Sequence, residues 1–172
     1  MAKLAFEATP FAAPADSWLG GGLLLRLSVE ASELLPSRGM CMVAGQINGA
    51  DFQAAVEPDG QGSHWFRINP SLLDEAGIAV GETAKVVIEP TKLWSEPRVP
   101  DDLRQVLSAD AEAEAIWDSL TPAARWDWIR WMTAVRQPVT RQRHVESIPS
   151  RLKSGKRRPC CFDRSVCTLT DA

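Results

Sequence analysis

Cationic side chains concentrate near the C-terminal end of the sequence, where their chemistry suits an anionic partner. Residues 125–164 contain 11 basic and 3 acidic side chains, although the whole chain has a net charge of −3. Arginine offers paired N–H donors that match a phosphate, and a local positive excess attracts polyanions. The sequence therefore predicts an anion-binding surface, with a nucleic acid as the first candidate partner. Its candidate residues are Arg141, Arg143, Arg151, Lys153, Lys156, Arg157 and Arg158.

The same cations have a structural alternative. Residues 99–124 carry 6 acidic and 1 basic side chain, and runs of charge more often form solvated helix faces and exposed ion pairs than binding sites. Arg141 could brace the helices by bonding back to Glu112, Glu114 or Asp118. Bracing and ligand binding both remain open for Arg141, whereas ligand binding is favoured for the three basic residues 156–158.

The residues that usually carry catalysis are sparse. His64 and His144 are the only histidines, and no tyrosine is present. The sequence lacks G-x-S-x-G, H-E-x-x-H, Walker A and G-x-G-x-x-G motifs, so no nucleophile, metal pair or phosphate loop is indicated. Asp101 and Asp102 form a carboxylate pair, but acidic residues at the start of a helix complement its dipole. We expect a binding protein rather than an enzyme, and no cofactor.

Three cysteines near the C-terminus are poor candidates for a metal site. Cys160, Cys161 and Cys167 follow a C-C-x5-C spacing, whereas zinc sites usually pair thiolates as C-x2-C or C-x4-C. His144 is the only nearby candidate for a fourth ligand. We expect reduced thiols and no bound metal.

Residues 1–96 are predicted to form a small antiparallel β-barrel domain. Short aliphatic and β-branched segments alternate with turn signals, of which Asn48-Gly49 is the strongest hairpin signal. One short helix, expected to be capped by Ser71 and closed by Gly77, interrupts the strands. The predicted strands are 23–29, 41–49, 51–57, 64–68 and 83–89, and the helix is 71–78.

Residues 97–172 are predicted to form a helical domain of about four short helices, followed by a loosely ordered basic tail that contains the cysteines. Asp110, Thr121 and Thr140 are expected to cap helices. The last helix is expected to end at Gly155, and Pro149, which falls within its apolar pattern, should kink it or end its regular part. With the strands of the first domain, this gives an α+β fold.

Six of the seven tryptophans fall into two groups. Trp117, Trp128 and Trp131 lie on apolar faces, which favours core packing over stacking on a ligand. A second group could line a cleft between the two domains. Its members, together with one histidine, are Trp18, His64, Trp94 and Trp126.

The sequence shows no apolar run long enough to cross a membrane and no N-terminal secretory pattern, so we expect a cytoplasmic protein without membrane insertion. Its oligomeric state is not indicated.

Several separated motifs resemble those of the bacterial YdeI or OmpD-associated family. In the first domain they are VAGQINGADF (43–52), PDGQGSHWFRI (58–68), AGIAVGE (76–82) and VVIEP (86–90), and in the second VPDDLRQVL (99–107), LTPAARWDWIRWM (120–132) and TRQR (140–143). The resemblance implies a small β-barrel of unknown function, similar to the double-split barrel of AbrB- and MazE-type DNA-binding proteins, followed by a helical domain. The family's bacteriocin-protection label implies a phenotype rather than a reaction.

Three functions are compatible with these observations. The first is a non-enzymatic binding or stress-protection protein that engages an anionic partner through the basic surface. The second is a small-molecule binder or enzyme that uses the cleft between the domains. The third is a protein–protein adaptor.

Overall fold

The computed structural model describes residues 3–13, 21–135 and 137–160 of the chain. Contacts divide the chain into two compact units, the first ending at Trp94 and the second beginning at Ser95. The elements, in order, are β1 (Leu4–Ala8), β2 (Phe11–Ala12), β3 (Leu23–Arg26), α1 (Val29–Glu33), β4 (Cys41–Ile47), β5 (Ala50–Pro58), β6 (His64–Ile68), α2 (Pro70–Ala76), β7 (Ala84–Thr91), α3 (Asp101–Ser108), α4 (Ala111–Asp118), α5 (Pro122–Thr133) and α6 (Pro138–Lys153).

The first unit is built on a seven-stranded antiparallel sheet that curls into a half-barrel. Its strand order is β1-β7-β4-β5-β6-β3-β2. Strand β5 causes much of the curl because its residues 50–56 pair with β4, whereas Glu57 and Pro58 pair with β6. The α+β prediction is therefore confirmed, with strands first and helices after them.

Alternating side chains of the sheet form the core of the first unit. Val43, Ile47, Val86 and Ile88 are fully buried, as expected where one face of a pleated strand packs inward. Gly45 lies opposite Ile88 in the register. A Cβ at this position would overlap the Val87 carbonyl oxygen and lie 2.9 Å from the Cα of Ile88. The close approach of β4 to β7 therefore requires glycine.

The β4–β5 hairpin turn and the end of α2 are as predicted from the sequence, whereas the start of α2 and the end of β3 are not. Asn48 and Gly49 adopt φ values of 46° and 93°, which a tight hairpin favours. Helix α2 closes at Gly77 as predicted, but the residue that caps its start is Asn69 rather than Ser71. Strand β3 ends before the predicted limit, because Ser28 caps the short helix α1.

Four helices make up the described part of the second unit, with a separate core. Asp110 and Thr121 cap α4 and α5 as predicted. Helix α6 begins at Pro138 after Gln137, earlier than a cap at Thr140 would place it. The core contains Leu103, Trp117, Trp128, Ile148 and Leu152.

Pro149 lies inside α6, and the helix continues past it to Lys153. Of the two effects expected of Pro149, an end of the regular helix does not occur, and the continuation agrees with the predicted end near Gly155. Ile148 and Leu152, on either side of it, are almost fully buried. Their burial offsets the hydrogen bond that the proline nitrogen cannot donate.

Every helix of the described chain is too short or too polar to span a bilayer.

A buried polar network surrounds His64 in the first unit. The Nε2 atom lies 3.1 Å from the carbonyl oxygen of Gly39, and Nδ1 lies 2.8 Å from the Ser32 hydroxyl. Since a carbonyl only accepts, Nε2 donates, and Nδ1 accepts from Ser32. Burial lowers the pKa of His64, and the Arg38 charge lowers it further, whereas Gly39 and the Asp59 carboxylate raise it in part. The network therefore favours the neutral ring.

We expect Gly45→Ala to lower the free energy of unfolding by roughly 1–3 kcal/mol, because the added methyl group would push β7 away from β4. Urea denaturation of the purified chain measures this loss. Ala44→Ser is the matched control, since the neighbouring side chain points to the other face of the sheet. A Gly45→Ala chain as stable as the control would contradict the close approach.

Acidification should destabilise the native chain more than the His64→Gln variant. The pKa of His64 lies below its ordinary value of 6.5 in the folded chain, so the unfolded chain takes up this proton first as the pH falls. The stability that the neutral ring contributes is therefore complete above pH 6.5 and is lost below it. Urea denaturation at about pH 7.5 and about pH 5.5 measures the difference. Equal losses in both chains would refute this role of His64.

Candidate functional site

Three of the seven candidate cations form ion pairs within the second unit. Arg141 on α6 pairs with Asp102 in the first turn of α3. The Lys153 ammonium lies 2.5 Å from Asp110, which caps α4, and Arg158 lies 3.0 Å from Asp127 of α5. The partner of Arg141 is thus Asp102 rather than Glu112, Glu114 or Asp118. These cations connect α6 and the segment after it to the other helices.

The ion pairs shift the pKa values of Asp102, Asp110 and Lys153. Partial burial raises the pKa of Asp102, but the hydrogen bond and charge of Arg141, together with the Leu103 backbone N–H, lower it, so that the net shift is downward. The hydrogen bond from Lys153 lowers the pKa of Asp110, and the same bond raises the pKa of Lys153. The Asp102 and Asp110 carboxylates therefore stay charged to a lower pH than a free aspartate does.

Four candidate cations have no carboxylate within 4.0 Å among the described residues. Arg143 and Lys156 are exposed. Arg151 lies with its guanidinium 4.8 Å from the Trp131 ring centroid. Arg157 donates to the Ser119 carbonyl oxygen at 2.8 Å, a contact that leaves its charge uncompensated. These four residues, Arg143, Arg151, Lys156 and Arg157, are called the cationic surface below.

Trp131 holds part of the cationic surface in place. Its ring stacks on His144 at a centroid distance of 3.8 Å and an interplanar angle of 5°, and it meets Trp128 edge to face at 5.7 Å. His144 and Arg151 are two turns apart on α6, so both can contact this one ring. Trp128 is fully buried, whereas Trp131 is only partly buried. Trp131 therefore connects the core to the charged surface.

The residues predicted to line a cleft are found in different settings. His64 is fully buried in its polar network, and Trp94 is partly exposed at the end of the first unit. Trp126, half-buried on α5, donates its indole N–H to the Ser95 carbonyl oxygen at 2.9 Å. Trp18 lies outside the described residues. The geometry of His64 and Trp126 is explained by packing and hydrogen bonds inside each unit.

The cysteines provide no metal centre in the described part of the chain, where no group of three or more potential ligands occurs. Cys160 is exposed, with its sulfur 3.9 Å from the Lys156 ammonium. Cys161 and Cys167 lie outside the described residues. Burial raises the pKa of Cys41 to about 11, so this thiol stays protonated.

The sheet of the first unit has a hollow that the sequence did not predict. It has a volume of about 320 Å³. Its lining includes the apolar residues Ala44 and Val87 and the polar residues Lys3, Gln46, Asp51 and Glu89. Ala44 lies opposite Glu89, so a short side chain stands next to longer charged ones. One small side chain, Ala44, among longer ones at outward positions of neighbouring strands is the signal that could have predicted it.

Comparisons with known proteins agree with this two-unit architecture. The family model described as "Bacteriocin-protection, YdeI or OmpD-Associated" matches residues 96–155. A second model, a domain of unknown function called DUF1905, matches residues 6–88. No curated protein matches the chain. The chain therefore has a domain of the YdeI or OmpD-associated family at residues 96–155 and a DUF1905 domain at residues 6–88.

Proposed function

We propose that the protein binds an anionic partner, with a nucleic acid as the first candidate, through the cationic surface. One observation carries this proposal: four cations on α6 and in the segment just after it have no carboxylate partner among the described residues, whereas three neighbouring cations do. Uncompensated arginine and lysine side chains along one stretch of chain attract phosphates.

The cations are spaced along α6 in a way that suits a charged polymer. Arg143 and Arg151 are eight residues apart, which corresponds to about 12 Å along a helix axis. Lys156 and Arg157 extend the series beyond the helix end at Lys153. A series of this length can contact successive phosphates of one strand.

The setting of Trp131 argues against recognition by base stacking. His144 and Arg151 already contact its ring, and a nucleobase would have to displace one of them. Contacts would therefore be made to phosphates, which position a nucleic acid but carry no sequence information. We expect binding with little dependence on base sequence.

Replacing Arg143, Lys156 and Arg157 together by glutamine should weaken binding to a fluorescent DNA duplex. Each phosphate contact that is lost should also reduce the slope of log affinity against log salt by about 0.9. Fluorescence anisotropy from about 50 mM salt upward measures both quantities, since phosphate contacts are strongest at low salt.

A matched control removes three exposed charges from the first unit, as Lys3→Gln, Lys85→Gln and Lys92→Gln. This variant has the same net charge as the first but keeps the cationic surface. Equal weakening in both variants would show non-specific attraction, and no binding by the native chain at low salt would refute the proposal.

Small-molecule binding is a second candidate function, and the hollow on the sheet favours it. Lys3 and the carboxylates of Asp51 and Glu89 place charges of both signs around the hollow, an arrangement that suits a compact zwitterion. A ligand that binds only the folded chain raises its melting temperature.

A thermal-shift screen of zwitterionic metabolites tests this second candidate. We expect at least one compound to raise the melting temperature of the native chain and to have no effect on an Ala44→Gln variant, whose longer side chain fills the hollow. A screen without any shift, or an equal shift in the variant, would count against the hollow as a binding site.

A further inference from the structure

The tip of the β4–β5 hairpin contains chemistry that neither proposed function uses. Asn48 is followed by Gly49, whose backbone N–H is not shielded by a side chain. Such a nitrogen can attack the asparagine carboxamide and form a cyclic imide. The only other asparagine, Asn69, precedes Pro70, which has no N–H to lose. Asn48 is thus the reactive asparagine of the chain, and Asn69 serves as an internal control.

The fold restrains the side chain of Asn48 from two sides. Its Oδ1 accepts a hydrogen bond from the Lys85 backbone N–H at 2.9 Å, and its Nδ2 lies 3.4 Å from the Ala76 carbonyl oxygen. Its own backbone N–H donates to the Lys85 carbonyl oxygen at 2.9 Å. The carboxamide is therefore fixed towards β7 and the end of α2.

The same residues are open to water. Asn48 and Gly49 are both exposed, and Asn48 has a positive φ of 46°, which is uncommon for a residue with a side chain. Water, the second reactant in the hydrolysis that follows ring closure, can reach the site. What limits the reaction in the folded chain is the orientation of the carboxamide.

We propose that Asn48 is a site of spontaneous deamidation whose rate is set by opening of the hairpin tip. The Gly49 nitrogen loses its proton and bonds to Cγ of Asn48, and the side-chain nitrogen leaves as ammonia. Water then opens the cyclic imide at either carbonyl, which gives aspartate or isoaspartate. No oxidant or reductant is involved.

The product would no longer fit its surroundings. Conversion of Nδ2 to a carboxylate oxygen places an acceptor against the Ala76 carbonyl oxygen, which also only accepts. Isoaspartate adds a carbon atom to the main chain at a two-residue turn that determines strand register. Deamidation therefore weakens the links of the hairpin to β7 and α2.

Peptide mapping by mass spectrometry, with the full chain held at neutral pH, tests the proposal. We expect Asn48 to deamidate at least about tenfold more slowly in buffer than in unfolding urea, because the reaction requires local opening. Asn69 should stay unchanged in both. Equal rates in buffer and urea, or an unreactive Asn48 in urea, would overturn the proposal.

Two substitutions, the second with a matched control, give independent readouts. In urea, Gly49→Ala should slow the reaction, because its methyl group obstructs the attacking nitrogen. In buffer, Asn48→Asp should lower the melting temperature, whereas Asn69→Asp, with the same charge change, should leave it nearly unchanged because aspartate also caps helices. A rate in urea that Gly49→Ala does not change, or equal melting temperatures of the two aspartate variants, would contradict the proposal.

Discussion

Short helices are unstable alone in water, and this constraint governs the second unit. Its helices contain only 8 to 16 residues, so they depend on each other for burial and for charges at their ends. Two carboxylates each do two things at once: they accept a hydrogen bond at a helix start and form an ion pair with α6. Asp110 accepts a hydrogen bond from the Ala113 N–H at 3.1 Å while pairing with Lys153. Asp102 accepts from Leu103 at 2.9 Å while pairing with Arg141.

The dual use of these carboxylates explains the charge distribution of the sequence. Negative charge at a helix start is stabilised by the helix dipole, so the acidic segment coincides with the starts of α3 and α4. Positive charge on α6 then finds partners there. Each pair is partly exposed and contributes little free energy alone. Together the pairs orient α6, and this orientation determines which cations face solvent.

Sequence patterns predicted the elements well where a local rule sufficed. The Asn48-Gly49 hairpin, the caps at Asp110 and Thr121 and the closure at Gly77 each follow from short-range backbone chemistry. The α+β class and the family were predicted as well. The effect of Pro149 on α6 was left open between a kink and an end of the regular helix, because it depends on burial of residues on both sides against distant helices.

The candidate site was harder to predict for the same reason. Arg141 and Arg143 are alike in sequence and differ in structure, since only the first meets a carboxylate on another helix. Whether a cation is paired depends on which helix lies opposite, and no short pattern encodes that. The hollow on the sheet likewise arises from β4 and β7, which are neighbours in space and far apart in sequence.

The segment after α6 has a consequence for where the folded helical unit ends. The family match stops at residue 155, yet the Trp128 indole donates to the Arg157 carbonyl oxygen at 3.2 Å and Arg158 pairs with buried Asp127. A chain cut at the limit of the match would lose both contacts to α5. The structural boundary therefore lies at least three residues beyond the boundary defined by sequence similarity, and a minimal folding unit should include residues 156–158.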